Sequence, residues 1–476
     1  MVADLTDLPP AACLAAAQEV GRRLVREAVW HRDRCTWLGD DVEDDGTVVH
    51  RSLAGDLYGG TSGVGWFLAN LAAATGDEDA AEAAAGALRH ALRRVRESGD
   101  CGLYTGRAGA ALAAVAGGHA LRDGALLASG ADLAGDVART ATAPAAAAEL
   151  DLIGGLAGTA LALVELAGAL DDDALLGAAV VLGERLLAAR RPTSSGSTWT
   201  APGAPQPLLC GLGHGASGLA LAFLELERAV GDGRFGEAAA GSLLYERAWF
   251  SRERGNWPDL RELDWSRLDA GAQPPYLVYW CHGAAGIGLV RLHAFRRRGG
   301  ETALAEAAAA IDTATSTMLR VVASPRPAGR GGPDLSLCHG VGSVAELHVT
   351  AAEVTGDSEH LAHARRLVQL ALVGREAAAR AGEANGSGGG LRLPAELPCG
   401  VPGGGETPGL LLGLAGIGAT LLRLCDPALL PSPLLVAGWG RAARAEPDGS
   451  EGRDRGVAPD LEHAGVPLQL GDHGLA

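Results

Sequence analysis

The sequence predicts an all-α protein, and three observations carry that prediction. Gly-x-x-Gly recurs seven times, one copy with a substitution, and each copy precedes an apolar run. Between copies lie stretches rich in Ala, Glu and Arg whose apolar residues recur at helical spacing, with charges on the other face. Aromatic residues make up only 4% of the 476, and β-branched runs are short, which suits closely packed, Ala- and Leu-rich helices.

The repeat begins Leu57–Tyr58–Gly59–Gly60–Thr61–Ser62–Gly63, then Leu103–Tyr104–Thr105–Gly106–Arg107–Ala108–Gly109. It continues through Gly155–Leu156–Ala157–Gly158, Gly215–Ala216–Ser217–Gly218 and Gly283–Ala284–Ala285–Gly286. The sixth copy, Gly340–Val341–Gly342–Ser343, has Ser for the second Gly, and the last is Gly413–Leu414–Ala415–Gly416. A spacing of roughly 45 to 75 residues matches a helical hairpin with its loops. Each copy leads into an apolar inner helix, as at Val64–Leu71 and Ile287–Leu292, while Glu78–Ser98 and Glu359–Ala381 read as amphipathic outer helices. Glycines three apart share a helix face and are expected to let neighbouring backbones approach. Seven such hairpins can close into a ring that gathers the inner-helix N-termini, with their unpaired N–H groups, at one end. A linear solenoid satisfies the same repeat. Pro192–Pro207, Ser324–Pro333 and Ala384–Gly405 read as loops. Residues 1–50 read as a helical lead-in, 51–433 as the repeat domain and 434–476 as a disordered tail that is polar from Ala445 onward.

The net charge of −17 argues against general nucleic-acid binding, which needs phosphate contacts from basic residues. It serves solubility and also suits a basic partner. The chain contains no Lys, so every fixed positive side chain is Arg. Neither a signal-peptide pattern nor an uninterrupted apolar run of membrane-spanning length is evident. Eight scattered Cys, without disulfide-scaffold density, point to a reducing cytoplasm, where Cys serves as ligand, nucleophile or small core residue.

Three repeats carry His or Cys where the others are neutral. His214 precedes Gly215, Cys281–His282 precede Gly283, and Cys338–His339 precede Gly340. If the repeats superpose, these side chains start successive inner helices at one level around the axis. Two Cys and one His suit zinc, and three ligands leave a fourth position for substrate. Two other assignments stand beside this one: a closed Cys₂His₂ structural site, and buried Cys and His without a metal. His214 is a candidate general acid or base. Asp151, four residues before Gly155, reads either as a loop or N-cap acid or as a carboxylate that orients a catalytic group. His360 and His363 fall on an outer helix and are expected to be solvated.

Taken together, the segments resemble the LanC-like cyclases, most closely the C-terminal cyclase half of class II (LanM-type) lanthipeptide synthetases, from about Leu14 to Pro433. The marks are Cys35–Thr36–Trp37–Leu38–Gly39, Leu57–Tyr58–Gly59–Gly60, Gly102–Leu103–Tyr104–Thr105–Gly106 and Gly213–His214–Gly215–Ala216–Ser217–Gly218. Asn256–Trp257–Pro258–Asp259–Leu260–Arg261, Trp280–Cys281–His282–Gly283–Ala284–Ala285–Gly286–Ile287, Leu337–Cys338–His339–Gly340 and Gly413–Leu414–Ala415–Gly416–Ile417–Gly418 complete them.

The resemblance implies an α/α toroid and zinc held by Cys281, Cys338 and His339, with His282 left beside the metal. It implies addition of a peptide Cys thiol to dehydroalanine or dehydrobutyrine, giving lanthionine or methyllanthionine, with His214 and Asp151 as the acid/base residues. Two departures from class I cyclases bear on the site: Leu277 stands where they carry Arg, and His282 stands where they carry Tyr and is expected to take over part of its hydrogen-bonding role as a third catalytic-site residue. No segment corresponds to the class II dehydratase, so a dehydrated precursor peptide made by a separate enzyme is the expected substrate of a stand-alone cyclase; a truncated synthetase is the alternative. Rival activities are addition of a free thiol such as glutathione, prenyltransferase-like thiol alkylation, and a non-catalytic scaffold role.

Overall fold

A computed structural model describes residues 8–43, 45–143, 149–200, 208–261, 274–324, 333–384 and 393–442. Seven inner helices follow the seven Gly-x-x-Gly copies: α2 (Thr61–Thr75), α4 (Arg107–Leu121), α6 (Leu156–Leu170), α8 (Ala216–Val230), α10 (Ala284–Arg298), α12 (Val341–Thr355) and α14 (Leu414–Cys425). Consecutive inner helices touch all the way round and α14 returns to α2, so the ring is closed and the solenoid alternative is excluded. Around them lie α3 (Glu78–Val95), α5 (Gly124–Ala141), α7 (Asp173–Ala189), α9 (Gly233–Arg247), α11 (Glu301–Ala323) and α13 (Glu359–Ala384), each packed on the inner helix before it.

The seventh outer helix is α1 (Pro10–Glu27), which packs on α14 and so joins the start of the chain to the last repeat. Pro10–Glu27, inside the expected lead-in, therefore belongs to the ring itself. The rest of that segment forms two short hairpins, β1 (Val29–His31) with β2 (Arg34–Thr36) and β3 (Leu38–Val42) with β4 (Val48–Ser52). A third hairpin, β5 (Arg191–Thr193) with β6 (Gly196–Thr198), occupies the start of the expected loop Pro192–Pro207.

The two helix layers differ as their composition requires. Inner helices such as α6 and α10 are buried on nearly every face in their first three turns; the polar side chains this buries are paired, as Arg291 is with Glu246 and Glu306 and His293 with Glu225. Asp77, Asp123, Asp172 and Asp232 cap α3, α5, α7 and α9 by accepting first-turn N–H groups.

The glycine pairs work differently from the expectation. The first Gly of each copy is the N-cap of its inner helix. The second meets its own preceding loop and not a neighbouring helix: a Cβ on Gly109 would lie 1.8 Å from the Leu103 carbonyl oxygen, and one on Gly286 1.9 Å from that of Trp280. The glycine thus lets each loop fold down onto the start of its own helix. Ser343, in the sixth copy, is buried and its hydroxyl donates to the Gly340 carbonyl at 2.8 Å. Because backbone, not a flexible side chain, would be struck, Gly109→Ala is expected to cost about 1–3 kcal/mol. Thermal unfolding checks this; an unchanged Tm would show that the loop can lift away.

Two further expectations are corrected. Residues from 434 are not all tail, because Leu434, Leu435, Val436 and Trp439 are buried. This apolar run enters the ring's bore, and the short helix α15 (Trp439–Ala442) packs on α6; residues 443–476 lie outside the described residues. His360 is buried as well, because it lies on the face of α13 turned to α12. Its Nδ1 lies 3.1 Å from His348 Nδ1, His348 Nε2 lies 2.8 Å from Thr315 Oγ1, and the half-buried His363 ring stacks on His348.

Candidate active site

The loops ahead of the inner helices are tied together by a closed circle of backbone hydrogen bonds. Tyr58 N–H donates to Tyr104 O, Tyr104 N–H to Ile153 O, Leu152 N–H to Gly213 O, and Gly213 N–H to Cys281 O. Trp280 N–H donates to Cys338 O, Cys338 N–H to Leu411 O, and Leu411 N–H back to Tyr58 O, all at 2.8–3.2 Å. Tyr58, Tyr104, Ile153, Gly213, Cys281, Cys338 and Leu411 each stand two residues before an N-cap glycine. The repeat therefore fixes which positions face one another across the mouth of the ring. Cys281 and Cys338 share one register; His214, His282 and His339 share the next.

Cys281, Cys338 and His339 offer ligand atoms that all lie within 4.8 Å of one another, and among the described residues they are the only such group of three. Cys338 Sγ lies 3.3 Å from His339 Nε2. The Cys338 thiol donates to Cys281, outweighing burial, and with His339 it brings Cys281 down to about 4. Burial pushes Cys338 well up. Donor chemistry fits a zinc ion: two soft sulfurs, one imidazole and near-complete burial of both thiols.

His214 stands in the loop next to that of Cys281, joined to it by the Gly213–Cys281 backbone bond. Its Nδ1 meets Asp151 Oδ2 at 2.5 Å, and its ring stacks on His282 with centroids 5.8 Å apart. Asp151 divides its oxygens: Oδ1 accepts the Gly154 and Gly155 N–H groups, as the loop-acid reading expects, while Oδ2 faces His214. The Asp151 hydrogen bond raises His214 above the usual imidazole range despite burial. Burial works against ionisation of Asp151, but His214 and the two N–H groups hold the carboxyl below its ordinary value. The loop itself is anchored by buried Glu246, which accepts Gly211 N–H at 2.7 Å and the Ser217 hydroxyl at 2.6 Å and pairs with Arg291 at 3.0 Å. The His214 side chain remains 42% exposed at the edge of a groove of about 620 Å³ lined by Cys101, Thr105, Glu149 and Ile153, so a bound molecule can reach it.

His282 is buried, and burial lowers it below the usual imidazole range. Among the described residues neither of its ring nitrogens meets a hydrogen-bond partner.

Sequence reasoning passed over two residues. The Tyr58 hydroxyl donates to Cys338 Sγ at 3.1 Å; Tyr58 holds the same repeat register as the two Cys, so the repeat alignment contained the signal. Arg261, held by Asp259 at 2.7 Å, places its guanidinium charge near His282 and His339. It supplies a positive charge that Leu277 lacks. The Leu277 carbonyl instead accepts from Asn256 Nδ2 at 2.9 Å.

The family model described as lanthionine synthetase C-like protein matches residues 51–435. No curated protein sequence matches the chain. Among solved structures, nisin cyclase is similar with a TM-score of 0.57 and 15% identity, over 82% of this chain and 92% of that one. An alpha-1,6-mannanase from Salegentibacter sp. follows with a TM-score of 0.42 and 11% identity, over 88% and 100% of the two chains. The likeness to nisin cyclase bears on the fold alone and agrees with the closed toroid described above; the likeness to the mannanase is too low to bear on anything. The family match spans most of the chain, including every member of the loop circle, and the chain belongs to the lanthionine synthetase C-like family.

Proposed function

We propose that the protein closes thioether rings in a dehydrated precursor peptide by adding a Cys thiol to dehydroalanine or dehydrobutyrine. The observation that carries this reading is the convergence of Cys281, Cys338 and His339 in the loops beside the His214–Asp151 pair. In this reading Cys281, Cys338 and His339 hold zinc, which when bound lowers the pKa of the substrate thiol and so supplies a thiolate at neutral pH.

The chain's own residues do the rest. The Asp151 carboxylate can only accept, so the Nδ1 of His214 carries a hydrogen and Nε2 faces the substrate. As the S–Cβ bond forms, the Cα=Cβ π pair moves into the enolate. His214 then delivers a proton from Nε2 to Cα, and the S–H proton lost on thiol activation restores the balance. Arg261 adds positive charge near the developing enolate. The groove beside His214 holds peptide on one side of the reacting bond, and such positioning matters because ring closure is intramolecular. The likeness to class II cyclase halves, the separate dehydratase and the cytoplasmic setting belong to the same reading. Among the described residues no helix is long and apolar enough to cross a membrane.

Incubating the zinc-loaded protein with a chemically or enzymatically dehydrated precursor tests the proposal. Loss of alkylatable thiols with no change in peptide mass, and ring-protected fragmentation in tandem mass spectra, are expected. Persistence of free thiols would refute it, and a mass gain from added glutathione would reassign the activity to intermolecular thiol addition.

A further inference from the structure

The segment from Leu430 to Gly440 enters the bore of the toroid and meets Trp280, the residue before Cys281. Tyr104 Oη donates to the carbonyls of Pro433 and Leu434 at 3.0 and 3.2 Å, and Trp280 Nε1 donates to Leu434 O at 3.1 Å. The two rings meet edge to face with centroids 5.0 Å apart. Trp280 adjoins Cys281, and its own N–H is the circle bond to Cys338 O. The Leu434 carbonyl thus ties the loop of Tyr104 to that of Cys281 across the circle.

The segment is itself pinned at several points. Trp439 stacks on Trp66 of α2 with centroids 4.3 Å apart and planes 4° from parallel, and its Nε1 donates to Ser432 O at 2.9 Å. Gly440 N–H donates to Glu165 of α6 at 2.8 Å, and Arg423 of α14 donates to Leu430 O at 2.8 Å. Between these anchors Val436 is held at a φ of +62°, a left-handed conformation that a β-branched residue adopts only when its surroundings impose it. Such strain is kept where geometry matters.

We infer that residues 430–440 are a positioning element for the metal ligands: a strap that sets the Cys281 and Cys338 loops at ligand distance through Tyr104, Trp280 and the Leu434 carbonyl. This rests on the reading of Cys281, Cys338 and His339 as metal ligands. Outer partners of this kind govern ligand orientation and hence metal affinity.

Cobalt(II) binding to the full chain tests it, read by the thiolate-to-cobalt charge-transfer bands and by competition with a chelator. Two substitutions disturb the strap away from the ligands. Gly440→Ala would place a Cβ 2.2 Å from the Glu165 carbonyl oxygen, and Trp439→Ala removes the stack, whose loss is followed in the excitonic circular dichroism of the Trp66–Trp439 pair. Both are expected to weaken cobalt binding by about 10- to 100-fold and to shift the bands, while Trp439→Phe restores both. Should either fail to fold, Tyr104→Phe deletes one hydroxyl and carries the same expectation. Unchanged affinity and bands in the displaced variants would overturn the inference. So would equal weakening in Leu182→Ala, a core variant of outer helix α7 matched for stability loss. If the unmodified protein binds no cobalt, the metal reading falls and the strap's role falls with it; if it binds and only the variants behave alike, the strap's role falls alone.

Discussion

Cys338→Ala is expected to abolish metal retention and thioether formation together. Cys338 Sγ lies 3.3 Å from His339 Nε2, accepts the Tyr58 hydroxyl and stands within 4.8 Å of the Cys281 sulfur. Removing it leaves two ligands of three, so the loss of affinity should exceed the roughly 100-fold that an outer partner can cost. The fold should survive, because the tie of residue 338 to the loop circle runs through its backbone N–H and carbonyl. Zinc content after dialysis, far-UV circular dichroism and cyclisation of a dehydrated peptide, measured on one preparation, check all three points. Full activity in a variant that holds no metal would remove the proposed chemistry.

His214→Ala should leave the metal in place and slow ring closure by about 10²- to 10⁴-fold, the usual share of a positioned general acid. The pH dependence carries a sign that separates this role from a structural one. The Asp151 hydrogen bond raises His214 above its ordinary value, so the proton-donating form persists to a higher pH than a free imidazole would allow. Rate is then lost as pH rises through that raised value. Asp151→Asn removes the main cause of the shift, and the alkaline limb should move to lower pH. Single-turnover rates across the pH range, followed by thiol alkylation and mass spectrometry, read both effects. An unchanged rate in His214→Ala removes it from the mechanism, and an unmoved limb in Asp151→Asn removes the pairing from it.

Much of the site was legible because it lies on a repeat. Aligning the seven glycine copies puts Cys281 with Cys338, and His214 with His282 and His339, without any knowledge of which helices touch. The same alignment holds Tyr58 at the thiol register, a signal that went unread because a Tyr is not a metal ligand. Asp151 could be placed in its loop, but not the division of its two oxygens between loop N–H groups and His214. Arg261 could not be placed, because nothing in its spacing from Cys281 says that the chain brings its charge to His282 and His339. His360 was misread for a related reason: residues on a mostly polar helix look solvated until the neighbouring helix, with its own buried His348, is set against them.

By itself the sequence determined the helical class, the seven-fold hairpin and the level at which the reactive side chains gather. All three follow from local regularities: apolar period, capping residues and glycines that let each loop lie on its own helix. Closure of the ring, the pairing of α1 with α14 and the passage of residues 430–440 through the bore were decided only by tertiary structure. Each joins segments hundreds of residues apart, and each rests on which buried surfaces fit together, information that no periodicity along the chain contains.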